Sequence, residues 1–436
     1  MAAGQSEGTA SGHSGSGAAW GAVALWALTR AALLLCVFKV VTLPGPDVTS
    51  DVSVIYQGWY EVLRAGTYPL SDVTWQYPPG AALAVVSPAA LPFLGYASAF
   101  FVLVCLCDAV VLGLLLRAGR GGGRSVRGAW VWVVGVPLLG TTSYARYDLM
   151  VTAVAVGALL AGAARPRLMG ALAGFGALLK VWPVLLLAGT PRGGATRRSW
   201  TAAVVTGLAV TALCWVALPG ALEFLTYQRD RGTEVESLGA LVFQVARHFG
   251  WEGSVLFSYG SVEFAGPYVP LVSRAALALA VLAFGWLLVW RLRARELGAA
   301  TVYDAAFAAV LLFTTTSRVI SPQYLLWLVG LAAVCLTLGA SRMALPAGLV
   351  LAATAVTQLE FPLMFDQVVA GEPVGVALLF VRNGLLVASA LTACRVLWRG
   401  TVPRRERPAG EGAGRGRGRG GLISRAAAVR RRATAR

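Results

Sequence analysis

Residues 20–43 read WGAVALWALTRAALLLCVFKVVTL, and residues 44–80 continue as PGPDVTSDVSVIYQGWYEVLRAGTYPLSDVTWQYPPG. A helix crosses a bilayer with about 20 apolar residues, and the first stretch is long enough to do so. It is too long for a secretory signal and lacks a clear small-residue cleavage site, so it reads as a first membrane helix. The second stretch is polar, acidic and aromatic. A membrane helix that opens into a loop rich in titratable side chains sets the reading of the whole chain.

The pattern recurs. Apolar stretches of spanning length lie near 96–116, 199–218, 271–290, 322–338 and 375–394. Shorter ones lie near 79–94, 128–140, 149–163, 168–179, 301–313 and 344–358. This spacing predicts an all-α polytopic membrane protein with about 10–12 membrane segments. Composition agrees: 57% of the 436 residues are hydrophobic and 13% are charged, against roughly 25% charged in a soluble domain. The six cysteines (Cys36, Cys105, Cys107, Cys214, Cys335 and Cys394) all fall in or beside apolar segments. They read as packing residues, and the Cys105/Cys107 spacing is not a metal-ligand signature.

The formal net charge is +17, and the arginines are clustered. One group is Arg117, Arg120, Arg124 and Arg127; another is Arg165 and Arg167, then Arg192, Arg197 and Arg198; a third is Arg291, Arg293 and Arg295. Short loops rich in Lys and Arg stay cytoplasmic, which puts the loops near 44–78, 219–270 and 361–374 outside. Residues 1–18, rich in Gly, Ser and Ala, read as a disordered tail, residues 19–397 as the membrane domain, and residues 398–436 as a disordered basic cytoplasmic tail. That tail carries GAGRGRGRGG (412–421) and RRRATAR (430–436) with no interleaved aromatics. It suits anionic headgroups rather than nucleic acid.

Two places strain this topology. Segments 79–94 and 96–116 both lie between an outer loop and an inner arginine cluster, so one of them falls short of crossing or one cluster breaks the charge rule. Segment 168–189 is interrupted at Lys180, Trp182 and Pro183 and has basic residues at both ends, as two half-length helices in a re-entrant hairpin would.

Ionisable residues at segment ends are where a membrane protein carries function. The first loop offers Asp47, Asp51, Tyr56, Glu61 and Asp72, with Tyr77 at its close. Its Val54, Trp59, Val62 and Leu63 fit an amphipathic helix lying along the membrane surface. The run Thr141–Asp148 contains Arg146 and Asp148. Two residues apart on one helix, these do not face each other, so each meets another segment, or Asp148 serves a helix start. Lys180, between two apolar half-segments, needs an acidic or phosphate partner unless it snorkels. The stretch Tyr227–Ser237 contains Arg231, Glu234 and Glu236, and opens a weakly amphipathic run toward His248. Arg318 follows three threonines and a serine, and precedes Gln323, Tyr324 and Trp327; an arginine among hydroxyl donors suits a phosphate. With only two histidines, His13 and His248, a multi-histidine metal site is excluded. No nucleotide loop, HExxH or dinucleotide fingerprint occurs. Chemistry here rests on carboxylates and arginines, with no metal and no cofactor.

These elements, in order, resemble glycosyltransferase family 87, the polyprenyl-phosphate-dependent mannosyltransferases of actinobacteria. The residues that carry the resemblance are DVSVIYQGWYEVLRAGTYPL (51–70), WQYPPGAAL (75–83), LLKVWPVLLL (178–187), DRGTEVESL (230–238) and SPQYLLWL (321–328). The chain departs from the family at 141–148, where TTSYARYD stands in place of a Gly-Gln-x-Asn element. The resemblance implies a GT-C bundle in the plasma membrane with an extracytoplasmic active site. It implies transfer of a sugar, commonly mannose, from a polyprenyl phosphate to a lipid, glycan or protein acceptor with inversion. It implies an Asp base in the first outer loop, which maps onto Asp51, with Asp47 a neighbouring rival. Arg318, Arg231 and Lys180, joined by Arg146, Gln323 and Tyr324, are then the phosphate and substrate contacts. Asp148, Tyr56, Tyr77 and Glu236 are further candidates. The competing readings are a transporter or flippase that binds a lipid phosphate without cleaving it, and a scaffold for envelope assembly.

Overall fold

The computed structural model describes residues 10–42, 44–70, 72–225 and 232–403, with side chains from residue 17 onward. Its α-helices are α1 (Ala10–Val37), α2 (Gln57–Arg64), α3 (Ala81–Val86), α4 (Tyr96–Ala118), α5 (Arg127–Gly135), α6 (Asp148–Gly162), α7 (Pro166–Leu179) and α8 (Gly194–Ala217), followed by α9 (Ala240–Ala246), α10 (Val269–Arg293), α11 (Thr301–Thr315), α12 (Tyr324–Leu336), α13 (Ala344–Gln358), α14 (Phe365–Ala370) and α15 (Pro373–Thr401). Helix α1 begins inside the stretch expected to be a tail, and α15 runs past residue 398. Among the described residues, six helices are long and apolar enough to cross a membrane: α1 from Gly17, α4, α8, α10, α13 with its extension to Leu363, and α15. The apolar helices α6, α7, α11 and α12 are shorter.

Burial sorts the helices. Every residue of α12 from Leu325 to Cys335 is buried, and α11 is buried almost all round. A helix apolar on all faces belongs at the centre of a bundle. Helices α8 and α10 instead expose Val204, Val205, Leu208, Leu213, Leu277, Val281, Leu282 and Leu288, as a lipid-facing perimeter does.

The first topological strain resolves at α3. With the 3-10 turn Ser87–Ala90 it forms a ten-residue apolar unit, Ala81–Ala90. At 1.5 Å per residue this is about 15 Å, half the hydrocarbon thickness. Of the two, α4 alone is long enough to cross, so the first loop and Arg117–Arg127 fall at opposite ends, as the charge rule requires. The second resolves at Lys180. Helix α7 stops there in extended backbone (φ −150°, ψ 144°), and a 3-10 helix, Trp182–Gly189, carries the chain back. At its far end Arg192 donates to the carbonyls of Arg291 and Leu292 (2.6 and 3.0 Å) at the end of α10. Residues 166–192 are therefore a hairpin of two half-length helices with Lys180 at the apex.

A third break was not foreseen. After α5, Pro137 starts a 3-10 turn to Ser143 that is interrupted at Gly140 (φ 53°, ψ −142°). Only glycine adopts that backbone without strain. The break delivers Tyr144–Tyr147 as a non-helical shelf at the end of the bundle opposite the arginine clusters, and α6 starts from it at Asp148.

The loop between α8 and α10 adds a small sheet of β1 (Thr233–Glu234), β2 (Ser254–Ser258) and β3 (Ser261–Ala265), ordered β1-β3-β2 and antiparallel throughout. Tyr259 and Gly260 turn the β2–β3 hairpin with φ of 52° and 73°, the pair of positive values that suits strand twist. Strands of two to five residues are too short to display an alternating pattern, and the sequence reading held only a weakly amphipathic stretch here. With α9, the sheet encloses a satellite core of Val235, Ala240, Phe243, Phe264 and Val269.

The amphipathic segment of the first loop also differs from expectation. A π-helical turn, Asp51–Tyr56, precedes α2, and the buried face is Val52, Tyr56, Trp59 and Leu63, while Val54 and Val62 are exposed. The buried set repeats every three to four residues; Val54 lies off that stripe.

Candidate active site

A cavity of about 490 Å³ opens among the loops at the end of the bundle away from the arginine clusters. Each of its walls comes from a different part of the chain. The first loop contributes Asp51, Tyr56, Trp59, Gln76 and Tyr77; the shelf after α5 contributes Arg146; the hairpin apex contributes Lys180 and Trp182. Glu234 and Glu236, the β2–β3 hairpin, and Arg318, Gln323, Tyr324 and Trp327 complete it.

Asp51 sits at the start of the π-helical turn and forms an ion pair with Arg146. Arg146 also donates to the carbonyl of Val48 (3.3 Å), so one guanidinium fixes both the carboxylate and the backbone that leads to it. Asp51 keeps about a third of its side chain exposed to the cavity (32%), enough to reach a bound hydroxyl. Tyr56 lies beneath, stacked on Trp59 with ring centroids 5.4 Å apart. Burial pushes its phenol well above the ordinary value, so it stays protonated.

Lys180 Nζ lies 2.6 Å from Asp148 Oδ1, which also accepts from the Trp327 indole at 2.8 Å. Asp148 therefore meets another segment instead of capping α6, as Arg146 does with Asp51. The ring centroids of Tyr77, Tyr147, Tyr324 and Trp327 lie 5.1–5.5 Å from the same ammonium, a cation–π enclosure. Trp327 is stacked between Tyr324 (4.0 Å) and Trp182 (5.2 Å). The buried Trp182 N–H has no hydrogen-bond partner among the described residues.

The far wall is acidic and braced from behind. Glu234 accepts from the Ile320 N–H at 3.0 Å, and its own N–H donates to the Arg318 carbonyl at 3.1 Å. Arg382, wholly buried in α15, bridges Glu236 (3.2 Å) and Glu360 (3.1 Å). Burial, then the charges of Glu360 and Glu234, push the Glu236 carboxyl well above the usual carboxylate range despite Arg382. Arg318 Nη1 reaches Ser273 Oγ at 3.4 Å.

Asp51, Tyr56, Tyr77, Arg146, Lys180, Glu236, Arg318, Gln323 and Tyr324 thus share one cavity, with Asp148 directly behind it. Asp47 does not line it. That residue pairs with Lys39 at 2.7 Å on an exposed turn; burial works against its ionisation, but Lys39 and Thr49 hold its carboxyl below the usual range. Arg231 lies outside the described residues. Sequence reading overlooked Glu360, Arg382 and a second buried pair, Arg30–Asp108 (2.8 Å). Asp108 accepts further bonds from Trp26 (2.8 Å), Trp132 (2.7 Å) and Tyr144 (2.9 Å). The available signal was an ionisable residue in the middle of an apolar segment, which Arg30, Asp108 and Arg382 all are.

No curated protein matches the chain. Among solved structures it is similar to ArnT from Cupriavidus metallidurans bound to undecaprenyl phosphate, at 15% identity over 87% of this chain and 77% of that one, with a TM-score of 0.44. It is likewise similar to the apo state of the same protein, at 16% identity over 88% and 78%, again with a TM-score of 0.44. Residues 75–322, more than half of the chain, match glycosyltransferase family 87, a span that includes Gln76, Lys180, Arg318 and Pro322 of the cavity. With that match, this multi-pass membrane protein belongs to glycosyltransferase family 87.

Proposed function

We propose that the cavity transfers a sugar, most simply mannose, from a polyprenyl-phosphate carrier to a hydroxyl of a lipid, glycan or protein acceptor. Asp51 takes the proton of the acceptor hydroxyl. The oxygen attacks the anomeric carbon with inversion, the bond from that carbon to the phosphate oxygen breaks, and polyprenyl phosphate leaves with the electron pair. Arg146, Arg318 and Lys180 supply the preorganised positive field that a departing phosphate requires in a water-poor site, and Gln323 and Tyr324 supply hydrogen bonds. Arg231 stands as a further phosphate contact from its place in the DRGTEVESL element. The observation that carries this reading is the shared cavity: a partly exposed carboxylate, Asp51, lies with three cations drawn from three separate segments. The arginine clusters at the opposite end support an extracytoplasmic cavity in a plasma-membrane protein, by the positive-inside rule.

The test uses membranes carrying the full chain and a radiolabelled polyprenyl-phosphate sugar. Transfer is expected with the wild type and a drop of at least about 100-fold with Asp51→Asn, given that general bases contribute roughly 10²–10⁴-fold. Transfer unaffected by Asp51→Asn refutes the base assignment, and no transfer from any such donor refutes the choice of donor.

A further inference from the structure

Three carboxyl groups, those of Glu234, Glu236 and Glu360, gather round the one guanidinium of Arg382. The transfer chemistry described above uses none of them. We propose that Glu236, with Glu234 beside it, binds a hydroxyl of the sugar being transferred. The inference rests on the transfer reading and supplies the sugar subsite that this reading lacks.

Position comes first. Glu234 and Glu236 both line the cavity, and the small exposed part of the Glu236 side chain (5%) opens there. Glu360 and Arg382 stand behind, wholly buried. The wall is tied to the segment that carries Arg318. The Glu234 N–H donates to the Arg318 carbonyl, the Ile320 N–H donates to the Glu234 carboxylate, and Arg382 donates to the Ile320 carbonyl (3.3 Å). From α15, Asn383 Nδ2 donates to the Glu236 carbonyl (3.2 Å). A donor phosphate held by Arg318 brings its sugar to these carboxyls, because a single oxygen joins the phosphorus to the anomeric carbon.

The chemistry of the pair then selects a hydroxyl. Glu236 gives one oxygen to Arg382 (3.2 Å), and its carboxyl lies within hydrogen-bonding reach of that of Glu234. Glu236 is the group that burial and the neighbouring charges keep protonated, so it donates, while Glu234 accepts. A donor and an acceptor side by side match a hydroxyl, which accepts one hydrogen bond as it gives another. The bracing from Arg382 and Asn383 holds the pair in place before substrate arrives, which lowers the ordering cost of binding. The buried Trp182 N–H, also in the cavity lining, has no partner among the described residues and offers a donor to a second hydroxyl. A polyhydroxylated ring satisfies both places; a hydrocarbon chain satisfies neither.

The test measures kcat/KM in membranes carrying the full chain, with polyprenyl-phosphate mannose and its 2-, 3-, 4- and 6-deoxy analogues as donors. The wild type is expected to lose about 10- to 100-fold on the analogue that lacks the bound hydroxyl, the cost of leaving a buried polar pair unfilled. Glu236→Ala is expected to lose a similar factor on the parent donor and to discriminate less than about threefold against that same analogue, since the two deletions remove one interaction. A purely structural role would lower all five donors alike and leave their ratios unchanged. Ratios unchanged from wild type in Glu236→Ala therefore overturn the proposal while the transfer reading stands, as does a wild type indifferent to every deoxygenation. No transfer from the parent donor overturns the choice of donor, and the subsite with it. Should Glu236→Ala fail to fold, E236M fills the same space without a polar atom, leaves Arg382 paired with Glu360, and is read by the same ratios.

Discussion

Substituting Asp108 by asparagine isolates a buried polar network that ties three segments of the bundle together. The Asp108 carboxylate is wholly buried and accepts five hydrogen bonds, two of them from Arg30, whose side chain is 1% exposed. Oδ2 takes the Arg30 Nε and Tyr144 hydroxyl bonds; Oδ1 takes those of Trp26, Trp132 and Arg30 Nη2. An asparagine keeps one oxygen and turns an NH₂ toward at least two existing donors, and it leaves the Arg30 charge without a counter-ion. Breaking a buried pair from one side costs about 3–5 kcal/mol. Removing the charge as well, in R30M/D108N, leaves a neutral acceptor for the two indoles or the Tyr144 hydroxyl, and should cost only about 1–3 kcal/mol. Unfolding of the purified protein in mixed micelles with increasing SDS, followed by tryptophan fluorescence, reads both. The double variant is expected to be more stable than Asp108→Asn alone, the reverse of additivity. If Asp108→Asn lies within about 0.5 kcal/mol of the wild type, or if the double variant is the less stable of the two, the network does not act as described. Because Tyr144 opens the shelf that carries Arg146 and leads into α6 at Asp148, Asp108→Asn should also lower transfer, without altering any group that lines the cavity.

Three further outcomes follow from the same geometry. K180M and D148N should each destabilise by about 3 kcal/mol, and K180M/D148N by less than either, because the pair is buried and 2.6 Å apart; K180M should also slow transfer beyond D148N, since Lys180 lines the cavity, and an unchanged melting temperature of either single variant refutes the structural role of the pair. Trp182→Phe keeps the stack on Trp327 but deletes an N–H with no hydrogen-bond partner among the described residues, so it should weaken substrate binding about three- to tenfold with little change in melting temperature; an unchanged KM argues that the indole donates to nothing in the complex. Burial works against ionisation of Asp72, but bonds from the Thr74 hydroxyl, the Trp59 indole and the Thr74 N–H hold its carboxyl below the usual range. Its contribution is therefore present above the unfolded value of about 3.9 and is lost as pH falls through the folded one; Asp72→Asn should flatten the acid side of the melting-temperature profile, and a parallel profile refutes this.

The sequence by itself determined the class of protein, the ends of most segments and many of the residues that line the cavity. Apolar length, arginine placement and the aromatic loop are local properties, and each could be read within a window of about 20 residues. The hairpin at Lys180 was legible for the same reason: a lysine, a tryptophan and a proline interrupt an otherwise apolar run. Asp51, Lys180 and Arg318 stood out because ionisable groups at segment ends are costly unless they have partners. What those partners are, only the tertiary structure decided. Asp51 with Arg146, Asp148 with Lys180, Glu236 with Arg382 and Arg30 with Asp108 join residues that are 32 to 146 positions apart. No local period encodes such pairings; they follow from the order in which helices pack. The half-length of α3, the Gly140 break and the short strands of the large loop were likewise settled by packing, because a short element carries too few residues for its own pattern to outweigh its surroundings.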